Sequence, residues 1–366
     1  MAWAESPAQS VLPFSVGRAA RPSLPPLFES FRERFSVRPA MHAPLRILMT
    51  SLVDYAGLFP PAALDMRTTL QNWARYASGD LSWMLGRLIV PVARLPELAR
   101  AIEAIGGGPK PSAEDYVEPW RLSAIVGEDL DLDIERVFEF NRTHAGESIG
   151  ADPQGDPEHD DELLTPTGGG GIVIDAIEVK ASSAREIDLA MRVVPEQLEP
   201  YFEIPITGDV RGLVAAMAGT GARAKVRTGG VTPEMIPAPK AVARFLSACA
   251  AADVPFKATA GLHHPMRAEY PLTYEPNCPR GVMFGFLNVF IAAALLKTGA
   301  VNESESADVL EERRPGAFVF TGAGVTWRDR RIDNARLARV RESFAVSFGS
   351  CSFDEPVADL RQAGLL

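Results

Sequence analysis

Two short segments near the middle of the chain carry closely similar chemistry. The first reads Ala224-Lys225-Val226-Arg227-Thr228-Gly229-Gly230, and the second Phe256-Lys257-Ala258-Thr259-Ala260-Gly261-Leu262-His263-His264-Pro265. Side chains alternate along an extended strand, so Lys225 and Arg227 share one face of the first segment. Lys257, Thr259 and, if the strand persists, His263 share one face of the second. Aimed inward, these cations stand where an ordinary core has none, because an ammonium withdrawn from water costs several kcal/mol unless it is paired or loses its proton. A lysine crowded by a second lysine and an arginine has its charged form disfavoured. The free amine can then attack a carbonyl and form a Schiff base.

Such residues need a frame that brings neighbouring strands to a common mouth. From Leu45 onward, strand-like apolar runs occur at Arg46–Val53, Met84–Val90, Arg121–Val126, Ile172–Val179, Tyr201–Ile206, Ala224–Thr228, Pro255–Ala260 and Phe344–Phe348. Amphipathic segments separate them, at Met66–Ala77, Leu95–Ile105, Ile134–Arg142, Ala184–Val194, Val210–Ala218, Pro239–Ala251, Val282–Lys297 and Asn334–Glu342. This alternation predicts an α/β fold with a parallel sheet, and its eight units predict a (β/α)8 barrel of the TIM type spanning residues 45–366. Residues 317–332 alternate as Phe-Val-Phe-Thr-Gly-Ala-Gly-Val-Thr-Trp-Arg and predict a β-hairpin inserted before the last strand. An open doubly wound sheet is the competing architecture. The barrel is preferred because polar residues recur at the ends of the strands, where barrels build their sites.

Those ends supply the rest of the candidate set. Strand one finishes in Asp54 and Tyr55, strand four carries Glu178 and Lys180, and strand five carries Glu203. Strand six gives Lys225, Arg227 and Thr228; strand seven gives Lys257, Thr259, His263 and His264. The turn Gly349-Ser350-Cys351-Ser352 after strand eight offers backbone N–H groups and hydroxyls to a phosphate or carboxylate. The catalytic candidates are Lys225, Lys257, Glu178, Glu203 and His263. Substrate-binding candidates are Asp54, Tyr55, Lys180, Arg227, Thr228, Thr259, His264, Ser350, Cys351 and Ser352. The adjacent histidines face opposite ways on an extended chain and do not readily share a metal, though either one alone could serve as a ligand or as an acid–base group. No metal site and no cofactor is assigned. The long connection 262–281, with its charged residues and tyrosines, is expected to contribute specificity at the mouth.

Composition narrows the partners. The chain has 366 residues, 46% hydrophobic and 23% charged, and its net charge of -10 argues against nucleic acid, which needs concentrated Lys and Arg. Cys249, Cys278 and Cys351 are too few and scattered for a disulfide framework, and a reducing cytoplasm is expected. The longest apolar run, Val282–Leu296, is interrupted by Gly285 and Asn288 and falls short of a membrane span of ~20 residues, so it is expected to be a buried helix. Residues 1–44, rich in Pro, Ser, Ala and Arg, are expected to be a flexible extension, and 145–171 a mobile acidic loop. A small anionic substrate and a possible homo-oligomer complete the expectations.

The stretches Lys225–Gly230 and Lys257–Gly261 resemble class I aldolase barrels of the deoxyribose-phosphate aldolase type, in which strands six and seven carry a lysine followed by a Thr/Ser-Gly turn. The resemblance implies that Lys225 forms the imine, that Lys257 lowers its pKa, and that Glu178 or Glu203 shuttles protons. Arg227 departs from it, standing where that family has a small hydroxyl residue, and His263-His264-Pro265 is foreign to it. Asp54–Pro61 and Phe348–Pro356 resemble stretches of an uncharacterised bacterial family, which implies no activity. Three functions follow as expectations. The first is a lyase or aldolase acting on a phosphorylated or carboxylated carbonyl compound, its anion gripped by Arg227 and the Ser350–Ser352 turn. The second is a metal-assisted enzyme in which Glu178, Glu203, Asp54 and His263 hold a divalent cation, and the third a non-catalytic anion-binding barrel.

Overall fold

The computed structural model of the chain describes residues 43–110, 117–145 and 170–366. The extension 1–44 and the acidic loop 145–171 fall almost wholly outside those residues. The helices are α1 (Ala43–Met49), α2 (Met66–Ala77), α3 (Leu95–Ala104), α4 (Leu130–His144), α5 (Ala184–Met191), α6 (Val210–Met217), α7 (Pro239–Ala252), α8 (Phe286–Lys297), α9 (Glu303–Glu311), α10 (Asn334–Ser343) and α11 (Asp354–Gln362). Eight parallel strands close a barrel: β1 (Val53–Tyr55), β2 (Leu85–Pro91), β3 (Trp120–Ile125), β4 (Ile172–Lys180), β5 (Glu199–Glu203), β6 (Arg223–Arg227), β7 (Phe256–Thr259) and, last in the chain, β13 (Ala345–Ser350). Each strand pairs with its neighbour in sequence, and β13 closes the ring between β7 and β1. The protein is thus a (β/α)8 barrel of the TIM type.

Two small antiparallel sheets decorate it. The ribbon β8 (Ala268–Pro271) and β9 (Arg280–Met283) lies within the long connection after β7. A three-stranded sheet, β10 (Phe318–Thr321), β11 (Gly324–Trp327) and β12 (Arg330–Asp333), precedes α10 and β13. The predicted hairpin is therefore the first two strands of a three-stranded sheet. Its Trp327 donates an indole N–H to Glu312 at 3.1 Å, just beyond α9.

One predicted strand is a helix. Arg46–Val53 begins as α1, and the extended segment is only Val53–Tyr55. Leu45, Leu48, Met49 and Leu52 are buried, a spacing of three and four that belongs to a helix packed on one side. Pro44 stands in the first turn, where its missing N–H has no partner to lose. Helix α8 is buried along nearly its whole length, as the run Val282–Leu296 predicts, but the chain turns helical only at Phe286. Asn288, its one polar buried residue, donates to the carbonyls of Val309 and Glu312 and accepts from the Arg267 N–H.

Glycines admit the close approaches at the mouth. A side chain at Gly229 would meet the Gly261 Cα at 3.0 Å, so the turns leaving β6 and β7 touch backbone to backbone, and Gly261 also takes φ +75. On the other side of the barrel, a Cβ at Gly86 would sit 2.3 Å from Asp54 Oδ1. That opening lets the Asp54 carboxylate reach across β2 to accept the Arg87 N–H at 2.8 Å.

Candidate active site

Lys225 and Lys257 are direct register partners on β6 and β7, so parallel pairing sets the two amines side by side inside the barrel. Lys257 is 1% exposed and Lys225 4%. Carboxylates from across the lumen come between them. Lys257 Nζ lies 2.7 Å from Asp54 Oδ2 on β1 and 2.6 Å from Glu178 Oε1 on β4. Lys225 Nζ lies 2.6 Å from Glu178 Oε2 and 2.6 Å from Glu203 Oε2 on β5. The result is a chain of alternating charge, Asp54–Lys257–Glu178–Lys225–Glu203, with Arg227 4.0 Å from the outer oxygen of Glu203.

Neutral donors complete the network. Ser123 donates to Glu178 Oε1 at 3.1 Å, Ser347 donates to Asp54 Oδ2 at 2.7 Å, and Lys257 stands 5.0 Å from the centre of the Tyr201 ring. Burial would raise the Glu178 pKa, but Lys225 and Lys257 overcome it and hold the carboxyl at about 2. Burial would lower the Lys257 pKa, but Asp54 and Glu178 raise it instead. The expectation that crowding by like charge lowers the lysine pKa is thus corrected at Lys257: each lysine has two carboxylates in contact, and Lys257 is held as an ammonium. Strand alternation made Lys225, Lys257, Glu178 and Glu203 legible in the sequence, whereas the pairing of Asp54 on β1 with Lys257 on β7 was not.

A cavity of about 350 Å3 opens above this network at the C-terminal end of the strands. Glu178, Lys180, Glu203, Lys225, Arg227, Lys257, Thr259, His263 and Cys351 line it, together with Leu272 and Met283 from the β8–β9 ribbon. Other predicted residues serve elsewhere. Tyr55 accepts a hydrogen bond from Asn72 and packs edge-on against Tyr76. Thr228 donates to the Ala260 carbonyl at 2.8 Å and ties the two Gly-bearing turns together. Ser352 accepts the Glu355 N–H, and Ser350 Oγ accepts the Ser352 N–H at 3.4 Å, so the turn after β13 is occupied in leading into α11. With the carboxylates of Asp354 and Glu355 at that helix start, it does not have the anion-gripping character expected of it.

His263 and His264 both reach the last helix and divide between carboxylates one turn apart. His263 Nδ1 lies 3.0 Å from Glu355, and His264 Nδ1 lies 2.6 Å from Asp359 while its ring stacks on Tyr270 at 3.6 Å. His264 is thereby structural. His263 also lies 3.9 Å from Cys351 Sγ, and the Tyr274 hydroxyl touches both Cys351, at 3.5 Å, and Glu355, to which it donates at 3.0 Å. Burial opposes the His263 imidazolium, but Cys351 and Glu355 outweigh it and lift the pKa to about 10. This joint between Tyr274, Glu355, His263 and Cys351 pins the loop of the β8–β9 ribbon over the mouth. Sequence reasoning missed Tyr274 and Glu355 as parts of it, since neither sits in a motif.

The carboxylates do not gather as a metal centre. Asp54, Glu178 and Glu203 are separated by ammonium groups, and among the described residues no three His, Cys, Asp or Glu side chains are placed to share a metal ion. Comparison with known proteins leaves the geometry to speak for itself: no protein-family model matches the chain, and no curated protein matches it.

Proposed function

We propose that the protein is an enzyme of the lyase or aldolase type, which forms a Schiff base between Lys225 and the carbonyl of a small carboxylated or phosphorylated compound. One observation carries the reading: a lysine on the cavity wall touches, at 2.6 Å, a carboxylate that also lines that cavity, Glu203. A nucleophile in contact with its proton acceptor is the arrangement that covalent catalysis needs. Lys225 passes a proton to Glu203, and the amine adds to the carbonyl carbon to give a carbinolamine. Glu203 returns the proton to the carbinolamine hydroxyl, water leaves, and the cationic imine draws electrons from the adjacent carbon–carbon bond. Glu178, held at about 2 and bonded to both lysines, keeps its negative charge and steadies the cation that forms. Lys257, locked between Asp54 and Glu178, fixes the position of Glu178. Arg227 and Lys180 stand beside the cavity to hold the anionic group of the substrate.

Borohydride reduction in the presence of pyruvate or glyceraldehyde 3-phosphate, followed by peptide mapping, tests the reading. A reduced adduct on Lys225 is expected, absent from Lys225→Met. An adduct-free protein with both compounds, or labelling undiminished in Lys225→Met, overturns it.

A further inference from the structure

Beside the central cavity, at β5 and β6, lies a groove of about 710 Å3, and the two share Lys180, Glu203, Arg227 and Met235 as lining. Beyond that waist the groove is walled by Ile204, Pro205, Ile206, Met235, Pro237 and Ala241. Three acids also line it: Glu203 at the waist, the exposed Glu234, and Glu186, which accepts the Ser182 N–H and hydroxyl at 2.6 and 3.0 Å.

The waist itself is cationic. Lys180 makes no ion pair among the described residues, and Arg227 reaches only Glu203, at 4.0 Å with its side chain half exposed. Glu203 spans the space between reactive amine and guanidinium, one oxygen 2.6 Å from Lys225 and the other 4.0 Å from Arg227. A ligand matching this order has its carbonyl and its anionic group a bond or two apart, with an apolar portion beyond them.

We infer that the substrate is a 2-oxo acid with a hydrocarbon chain of several carbons: the carbonyl at Lys225, the carboxylate at Arg227 and Lys180, and the chain along the Ile204–Ile206 and Met235 groove. This rests on the reading of Lys225 given above, and deepens it by assigning the anion and the tail. A bare two-carbon tail would leave the groove wet; a longer one removes apolar surface from water on both sides.

Calorimetric titration of the full chain with pyruvate, 2-oxobutanoate, 2-oxohexanoate and 2-oxooctanoate tests it. Affinity is expected to rise about fourfold for each added methylene, the equivalent of about 0.8 kcal/mol, until the groove is filled. Met235→Asp, at a side chain 47% exposed and so without cost to the core, is expected to flatten the rise relative to pyruvate in the same variant. Arg227→Gln is expected to weaken every member of the series by a similar factor. Affinity independent of chain length, a rise unchanged in Met235→Asp, or no binding of any member overturns the inference. A rising series without any borohydride-trapped adduct would overturn the Schiff base and leave the groove assignment standing.

Discussion

Glu178 touches both lysines and accepts from Ser123 as well, so its removal has two separable effects. Glu178→Gln leaves two buried ammoniums sharing less negative charge, and breaking a buried pair by deleting one partner typically costs about 3–5 kcal/mol. Urea denaturation is expected to show a loss of that size, and a loss under about 1 kcal/mol would mean that the lysines find other partners. Glu203→Gln probes the other end of the network. Its side chain is closer to solvent, so stability is expected to change by no more than about 1–2 kcal/mol. The borohydride adduct on Lys225 is expected to form at least about 100-fold more slowly, the scale of a lost acid–base group, as timed by mass spectrometry. Trapping at the wild-type rate in Glu203→Gln would move the proton transfer to another group.

At the scale of elements, the joint between the β8–β9 ribbon loop and α11 makes a pH-dependent claim. His263 has its pKa raised from 6.5 to about 10 in the folded protein, so its contribution to stability is complete below pH 6.5 and disappears as pH rises toward 10. Melting temperature is expected to fall across that window, and to fall less in His263→Gln; parallel curves for the two proteins would refute the claim. The same joint shows where sequence reading reaches and where it stops. The strand-end lysines, Glu178 and Glu203 were legible because alternation by two fixes a face and the eight-unit rhythm fixes the architecture. Helix α1 was misread as a strand: Leu45, Leu48, Met49 and Leu52 recur at helical spacing, but a run this short also fits a strand, and periodicity alone does not separate the two. Tyr274, Glu355 and the pairing of both histidines with α11 were not legible. They depend on where a long connection lands, about 80 to 95 residues away in sequence.

The molecule as a whole encloses charge at both ends of its lumen. Near the N-terminal ends of the strands, Arg87 bonds Asp175 at 2.6 Å and Glu199 at 3.0 Å, and Arg223 bonds Glu199 at 3.0 Å. Tyr201 lies between this layer and Lys257. Barrels more often fill that space with branched apolar side chains. Acid is expected to find the difference. The Glu178 carboxyl drops from an ordinary 4.5 to about 2 on folding, so its contribution is complete above pH 4.5 and is lost as pH falls toward 2. At about 1.4 kcal/mol per pH unit this one group accounts for roughly 3 kcal/mol. Stability followed from pH 6 to 2 by urea midpoint is expected to decline over that window, and Glu178→Gln is expected to decline less. An identical acid profile in both would assign the loss to other carboxylates.

The direct alignment of Lys225 with Lys257 carries a consequence for assembly of the chain. Zipping β6 onto β7 brings two like charges abreast, and three of their four carboxylate contacts come from Asp54 on β1 and Glu178 on β4, in the other half of the sequence. A C-terminal fragment from β5 onward would hold both amines with only Glu203 of their carboxylate partners, and an N-terminal fragment would hold Asp54 and Glu178 without the two lysines that pair with them. Half-barrels cut between β4 and β5 should accordingly remain unstructured apart and order only when mixed, an outcome that circular dichroism of the two fragments, separate and combined, would register.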